Sequence, residues 1–192
     1  MESDAHPAGS RPPLRHLTLL PTTAAALLGV VAIAVGGRLE VPMVPVPMSL
    51  QTYAVGVVAG LLGWLRGGAT VGLYLAAGAF GAPVFAGGSG GVAHLAGPTA
   101  GYLVGFAVAA VLVGALAERG WTQGWGRSIL VMVLGHAVIL GLGAAWLGHA
   151  TDWGTAYRSG FEPFLIGAVA KSVLATATLF AVGAMPPRAG TR

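Results

Sequence analysis

Hydrophobic residues gather into six runs along the chain, separated by short breaks that are polar or rich in Gly and Pro. A helix that crosses a bilayer needs roughly 17–25 residues, and the first, fourth, fifth and sixth runs comfortably reach that length. The second and third runs are shorter. The break at Arg66-Gly67-Gly68 between them predicts either two helices with a tight turn or one helical hairpin buried in the bundle. The runs cover residues 17–37, 50–65, 68–84, 99–117, 127–147 and 162–184.

This pattern predicts an all-α integral membrane protein with six transmembrane helices. The membrane domain covers residues 17–185, between a flexible tail at 1–16 and a short tail at 186–192. Composition agrees, because 55% of the 192 residues are hydrophobic and only 8% are charged, whereas soluble domains carry about 25% charged residues. The net charge of +4 is therefore interpreted as a topology signal and not as a nucleic-acid footprint.

The distribution of Lys and Arg predicts the orientation, because cytoplasmic loops carry the excess of these residues. An even number of spans puts both termini on one side. That side holds seven arginines, the other side holds Arg38 and Arg158, and Lys171 lies within a span. Both termini are thus expected in the cytoplasm. The seven are Arg11, Arg15, Arg66, Arg119, Arg127, Arg188 and Arg192.

The outer face then carries three longer loops, at residues 38–49, 85–98 and 148–161, which are rich in Pro, Gly and aromatic residues. The inner loops are tight. A ligand site that faces outward is the simplest interpretation of this asymmetry.

Small residues recur every three or four positions in the first run, at Ala25, Gly29, Ala32 and Gly36. Such a stripe lets another helix approach closely. Packing within the chain and docking of a partner subunit on Ala25 and Gly29 are both consistent with it. The sequence also leaves a homo-oligomer open.

Lys171 is the most informative single residue. It lies nine residues into the last run, about 13–14 Å deep at a rise of 1.5 Å per residue. A lysine at that depth is costly unless it is paired or lines a cavity. The six carboxylates of the chain lie in the cytoplasmic tail or loop or in or beside the outer loops, and none lies at this depth in a span. Water, a backbone carbonyl, a neutralised amine or a bound ligand must therefore offset the desolvation of Lys171. We expect Lys171 to face an anionic group or a carbonyl of a ligand.

Two further polar residues are candidates for the same cavity. His136 lies at a similar depth in the fifth run, where it either bonds a carbonyl or lines the cavity with Lys171. Gln51 opens the second helix beneath the Pro-rich loop, with Thr52 beside it. An amide donates and accepts at once, so Gln51 suits another amide or a ureido group.

Aromatic residues and a Gly-rich loop complete the candidate site. Phe85 and Tyr102 are either interfacial anchors or walls of an apolar pocket. Gly88 and Ser89 belong to Gly87-Gly88-Ser89-Gly90-Gly91, a close-packed loop over a site. The same letters fit the G-x-S-x-G of hydrolases and the G-x-S-G of rhomboid-type proteases, with His136 as base. A hydrolase elbow needs a strand before the serine, which is lacking here.

Several kinds of chemistry are excluded by the residues present. The sequence has no cysteine, so disulfides and thiol chemistry are excluded. The spacing G-x-x-x-x-G-K-S/T does not occur, which excludes ATP hydrolysis by a P-loop. The five histidines are scattered and no cluster has metal-ligand spacing, so no metal and no cofactor are expected.

The loop motifs resemble those of the BioY family, the biotin-binding substrate-specificity (S) components of energy-coupling-factor (ECF) vitamin transporters. The resemblance covers residues 20–184. It departs at Ala168, where the family often has an Asp three residues before the lysine. The matching stretches are Val44-Pro45-Val46-Pro47-Met48-Ser49-Leu50-Gln51-Thr52, residues 81–91, residues 97–106, Gly135-His136, Trp146-Leu147 and Pro163-Phe164-Leu165 leading to Lys171.

The resemblance implies a multi-pass protein of the cytoplasmic membrane that binds biotin near the outer face and is not an enzyme. Its partners would be a transmembrane coupling subunit and a pair of ABC-type ATPases, which alone use ATP. One alternative is a stand-alone secondary carrier for biotin or another small carboxylate, and a more remote one is a rhomboid-like protease. The substrate-binding residues expected are Gln51, Phe85, Gly88, Ser89, Tyr102, His136 and Lys171.

Overall fold

The computed structural model describes residues 22–183, so the two predicted tails and the first residues of the first run lie outside the described part. Within it the protein is helical, with one small hairpin of β1 and β2 in antiparallel register, Glu40 opposite Ser49. The elements are α1 (Thr22–Arg38), β1 (Glu40–Val41), β2 (Met48–Ser49), α2 (Gln51–Ala79), α3 (Ala100–Glu118), α4 (Trp125–Ala150), α5 (Trp153–Thr155), a π-helical turn (Ala156–Phe161) and α6 (Phe164–Ala181).

The second and third runs form a helical hairpin within α2. Gly63 has φ +80° and ψ −179° inside the helix, a left-handed conformation that glycine tolerates best. Gln51 Nε2 donates to the Tyr74 hydroxyl, although 23 residues of straight helix would separate them by about 34 Å. The chain therefore reverses at Gly63, three residues before the predicted break at Arg66-Gly67-Gly68.

Helix α1 packs against both arms of this hairpin. A Cβ at Gly29 would lie 2.7 Å from Thr70 Cγ2 and 3.2 Å from Val58 Cγ1, and Thr70 and Val58 belong to different arms. Gly29 is buried, whereas Ala25 is half-buried. At Gly29 the small-residue stripe therefore packs against α2 of the same chain, and Gly29 is not accessible to a partner subunit. Docking at Ala25 stays a prediction.

The three loops predicted to share a face meet at one end of the bundle, as three hydrogen bonds between them and the helix ends indicate. The opposite end holds the turn at Gly63, where the backbone N–H of Trp64 donates to Glu118 Oε1 (3.3 Å). The bonds at the loop end join Leu50 N to Gly36 O, Gly91 N to Gly78 O and, for the third loop, the Tyr102 hydroxyl to Gly160 O.

The prediction of a loop at residues 148–161 is wrong, because most of this segment is helical. Helix α4 continues to Ala150, and helical structure resumes at Trp153. Asp152 caps the new start by accepting from Thr155 N (2.9 Å), and the hydrogen bonds from Thr155 hold the pKa of its carboxyl below the usual value. A cap of this kind satisfies N–H groups that have no partner inside a helix.

Four helical segments among residues 22–183 are long and apolar enough to cross a membrane, and α1 is a shorter apolar helix of 17 residues. The fold class is thus an all-α membrane protein. The four segments are Gln51–Ala79, Ala100–Glu118, Trp125–Ala150 and Trp153–Ala181.

Candidate functional site

A cavity of about 460 Å³ opens at the loop end of the bundle, within the roughly 300–1,000 Å³ typical of small-molecule sites. Its wall is mostly apolar. The lining residues are Pro45, Val46, Pro47, Ser49, Gln51, Thr52, Phe85, Ala86, Ser89, Ala93, His94, Gly97, Pro98, Thr99, Tyr102, Leu103, Phe106, Ile139, Leu140, Phe164 and Lys171.

Phe85 fastens the loop after α2 to the bundle and forms part of the cavity wall. A Cβ at Gly78 would lie 2.2 Å from Phe85 Cζ, so the ring occupies the space that the glycine leaves. The ring also packs edge-on against Tyr74, with centroids 5.6 Å apart, and against His94 at 5.9 Å. The position of this loop therefore depends on a glycine in the last turn of α2.

Tyr102 is held in the same way on the opposite wall. Its ring lies in a notch at Gly143, where a Cβ would come within 2.2 Å of the ring carbons. Its hydroxyl donates to Gly160 O (2.6 Å) in the π-helical turn, and its ring lies 6.2 Å from Phe164. Both aromatic residues predicted as pocket walls line the cavity.

Lys171 reaches the cavity from α6 and is tied to the start of α2. Its Nζ donates to Ser49 O (2.7 Å) and, at 3.4 Å, to Thr52 Oγ1. A backbone carbonyl is one of the partners that the depth of this lysine predicted. An ammonium has three N–H donors, and these two acceptors use only two of them.

Gln51 lines the cavity, but its amide is largely engaged within the protein. Besides the bond to Tyr74, Nε2 lies 3.4 Å from Val84 O, and Oε1 accepts from Ser49 Oγ (3.1 Å). Only 3% of the residue is exposed. The free capacity of this amide is one lone pair on Oε1, less than the paired donor and acceptor expected from sequence.

His136 and Gly88 do not line the cavity. His136 lies behind it, in contact with Thr52 Oγ1 through Nε2 (3.1 Å). Gly88 has φ +73°, and a Cβ there would meet the Arg38 guanidinium at 2.3 Å. Arg38 Nη2 donates to Pro83 O (3.1 Å), so Gly88 lets Arg38 hold the loop from outside.

Ser89 lines the cavity, and its hydroxyl donates to Ala86 O (2.8 Å). The hydrogen-bond partners of His136 are Met132, Thr52 and Ser172. The Ser89–His136 pair that a serine protease would need is therefore not formed.

Thr52 and His94 are two of the lining residues that the predicted site did not include. Thr52 follows Gln51 at the start of α2, and its position next to a predicted site residue was the available sequence signal. His94 lies in a 3₁₀ turn, Val92–Leu95. No periodicity marks such a turn, so its sequence carried no comparable signal.

The charges of the wall restrict the ligand. Among the described residues that line the cavity, Lys171 and His94 are the basic side chains, and none is a carboxylate. The described segment also contains no group of three His, Cys, Asp or Glu that is suited to a metal ion. The arrangement suits a compact, largely apolar molecule that offers an oxygen acceptor or an anionic group to Lys171.

Comparisons with known proteins agree on one family. The BioY family model matches residues 11–188. Biotin transporter BioY2 of Lactococcus lactis subsp. cremoris (strain MG1363) is 39% identical over 154 residues, 78% of this chain and 82% of the relative. Biotin transporter BioY of Thermotoga maritima is 39% identical over 144 residues, 74% of this chain and 84% of the relative.

The fold has a counterpart among solved structures. A crystal structure of the S component for biotin from an ECF-type ABC transporter superposes with a TM-score of 0.77 and 28% sequence identity. The alignment covers 88% of this chain and 94% of that one.

Proposed function

Because this chain belongs to the BioY family, we propose that it takes up biotin as the S component of an ECF-type transporter. It is a multi-pass membrane transporter of the cell membrane and not an enzyme. The observation that carries the proposal is the mostly apolar cavity at the loop end of an S-component fold, with one lysine in its wall.

The cavity suits the chemistry of biotin. The apolar part of the bicycle fits among Phe85, Tyr102 and Phe164, while the ureido group within the bicycle and the carboxylate supply oxygen acceptors. Lys171 offers its remaining N–H to one of these oxygens. Gln51 and Ser89 complete the proposed contacts, whereas Gly88 and His136 act from behind the wall. A few placed polar groups in an apolar site fix the orientation of such a ligand.

Binding of biotin by the purified protein tests the function directly. We expect titration calorimetry to give one biotin per chain, and mass spectrometry to detect biotin in protein purified from cells grown with the vitamin. A folded protein that binds no biotin in either measurement would overturn the proposal.

The energy for uptake comes from partner subunits, as we propose, because the sequence lacks a P-loop. These are a transmembrane coupling subunit and two ABC-type ATPases, with α1 and Ala25 as the docking side. Proteoliposomes with the chain alone should bind biotin without accumulating it, and co-reconstitution with the coupling subunit and the ATPases should produce uptake. Accumulation by the chain alone would favour the stand-alone carrier.

The proposed topology has six spans, if the two arms of α2 each count as one, and both termini in the cytoplasm. The membrane domain is 17–185, and the tails are 1–16 and 186–192. The bias of arginines towards one side supports this orientation, as does the gathering of the Pro- and Gly-rich loops at the end with the cavity.

Cysteine labelling tests the topology, and the lack of native cysteine removes background. Val92 is 71% exposed at the cavity end, and Gln123 is exposed at the opposite end. We expect a membrane-impermeant maleimide to label Val92→Cys in intact cells and Gln123→Cys only after permeabilisation. Labelling of both in intact cells would contradict the orientation.

Gly78→Ala is expected to weaken biotin binding roughly 5-fold or more. The added methyl would lie 2.2 Å from Phe85 Cζ, so the ring must leave the cavity wall. Overpacking of this kind typically costs about 1–3 kcal/mol, and 1.4 kcal/mol is about tenfold in affinity. Calorimetry measures the change.

Gly72→Ala is the matched control, since it lies in the same arm of α2 with nothing within 4 Å of the added carbon. We expect its affinity to equal that of the wild type. If the wild type, Gly78→Ala and Gly72→Ala bound biotin with equal affinity, the packing of Phe85 on Gly78 would not contribute to the binding site.

A further inference from the structure

A chain of hydrogen bonds runs from the cavity wall into the bundle behind Lys171. Lys171 Nζ donates to Thr52 Oγ1 (3.4 Å), and Thr52 Oγ1 lies 3.1 Å from His136 Nε2. His136 Nδ1 lies 2.9 Å from Met132 O and 3.0 Å from Ser172 Oγ. These hydrogen bonds thus connect three helices, α6, α2 and α4.

The partners assign the proton on each nitrogen of His136. Met132 O only accepts, so Nδ1 carries a hydrogen. Ser172 donates its own hydrogen to Ala168 O (2.8 Å), so its oxygen accepts from the same Nδ1–H. In a neutral ring Nε2 is then a bare acceptor, and the Thr52 hydroxyl donates to it.

With this assignment, the lone pairs of Thr52 Oγ1 are available to accept from Lys171 Nζ. A threonine hydroxyl has one hydrogen and two acceptor lone pairs. With the hydrogen given to His136, the oxygen is free to accept from the ammonium. All bonds of the chain then run in one direction, from Lys171 to Met132, and bonds aligned in this way strengthen one another.

A protonated His136 does not fit this arrangement. Its Nε2–H would need the same Thr52 oxygen that Lys171 uses, and two cations would share one hydroxyl. None of the hydrogen-bond partners of Lys171 and His136 within residues 22–183 is a carboxylate. Repulsion between like charges is strong in a poorly solvated bundle.

We infer that His136 and Thr52 are positioning residues for Lys171: the neutral imidazole fixes the Thr52 hydroxyl, and the Thr52 oxygen holds the ammonium at the cavity wall. Ser49 O binds a second N–H, so the third is directed to the ligand. The inference rests on the proposed function, in which that ligand is biotin. His136 thereby affects affinity without touching the ligand.

The alternative role for His136 is structural, as a plain cross-link between α4 and α2. A double-mutant cycle separates the two, because only residues that act together give non-additive effects. His136 does not line the cavity, so any coupling to Lys171 in ligand binding passes through Thr52 or through Ser172, the neighbour of Lys171 in α6. Recovery by His136→Gln through the Thr52 hydroxyl identifies the Thr52 route. The cycle uses His136→Leu and Lys171→Met, singly and combined, with biotin as the probe in calorimetry.

We expect His136→Leu to weaken biotin binding about 3- to 10-fold, as for a lost polar contact of roughly 1 kcal/mol. The same change in a Lys171→Met background should alter affinity less than about 2-fold. His136→Gln, whose amide oxygen can accept from Thr52, should recover most of the wild-type affinity. Equal weakening in both backgrounds, or none in either, would overturn the inference.

The tautomer gives a second test that needs no ligand and no destabilising variant. Nitrogen NMR of wild-type protein labelled at histidine, with His136→Gln to identify the signal, should show Nδ1 protonated and Nε2 bare. An imidazolium or the opposite tautomer would overturn the inference. Failure of the wild type to bind biotin would instead contradict the proposed function and leave the NMR result standing.

Discussion

Lys171→Met is expected to weaken biotin binding by roughly 10- to 150-fold, because a hydrogen bond to a charged group contributes about 1.5–3 kcal/mol. Methionine keeps most of the volume of the lysine stem and removes the ammonium. The cavity therefore keeps its shape and loses its one fixed cation.

The physical basis is the surroundings of this ammonium. It is half-buried in a helix of the bundle, where a charge is costly unless polar groups surround it. Ser49 O and Thr52 Oγ1 supply two acceptors. An oxygen of the ligand would supply a third, so binding gains the bond that the empty site cannot form.

Titration calorimetry on detergent-purified protein measures the effect, and Arg158→Met is the matched control. Arg158 is an exposed cation of the π-helical turn near the cavity end and does not line the cavity. Its removal changes the net charge equally and should leave affinity unchanged. An unaltered dissociation constant for Lys171→Met would place the lysine outside the binding site.

Gly114→Ala is expected to lower the thermal unfolding midpoint and to reduce the yield of folded protein. A Cβ at Gly114 would lie 2.5 Å from Gly63 C and 2.5 Å from Trp64 N. These are backbone atoms at the reversal of α2, so no side chain can rotate away. The helices must separate, and overpacking of this kind costs typically about 1–3 kcal/mol.

Gly141→Ala is the matched control for this substitution. It adds the same methyl to a helix at an exposed position with nothing within 4 Å. Alanine favours a helix over glycine by about 1 kcal/mol, so the midpoint should stay or rise. Circular dichroism in one detergent compares the three proteins. A Gly114→Ala protein as stable as Gly141→Ala would mean that α3 does not pack so closely on the turn.

Hydrophobic run lengths alone predicted the approximate positions of the long helices, because a membrane span must satisfy its backbone internally and stay apolar for a set length. They did not predict the helical segments between Trp153 and Phe161. The exact turn was not predictable. Gly63, Gly67 and Gly68 all permit a break, and local propensity does not choose among them. The choice falls on Gly63, where the close approach of Gly114 and the bond from Trp64 N to Glu118 leave room only for a glycine.

The walls of the site were largely predictable as well. A lysine deep in an apolar run must meet a polar partner, and aromatic residues beside Gly- and Pro-rich loops suit a pocket. Lys171, Phe85, Tyr102, Gln51 and Ser89 all line the cavity. How each contributes to binding stays a prediction.

What sequence determined by itself was the class of protein, the family and the kind of residue in the wall, since these depend on composition and local motifs. Tertiary structure alone decided which polar groups are free for a ligand. Tyr74 engages the Gln51 amide, and Thr52 separates His136 from Lys171. Hydrogen bonds between residues 23 to 119 positions apart depend on how helices pack, and no local pattern encodes that.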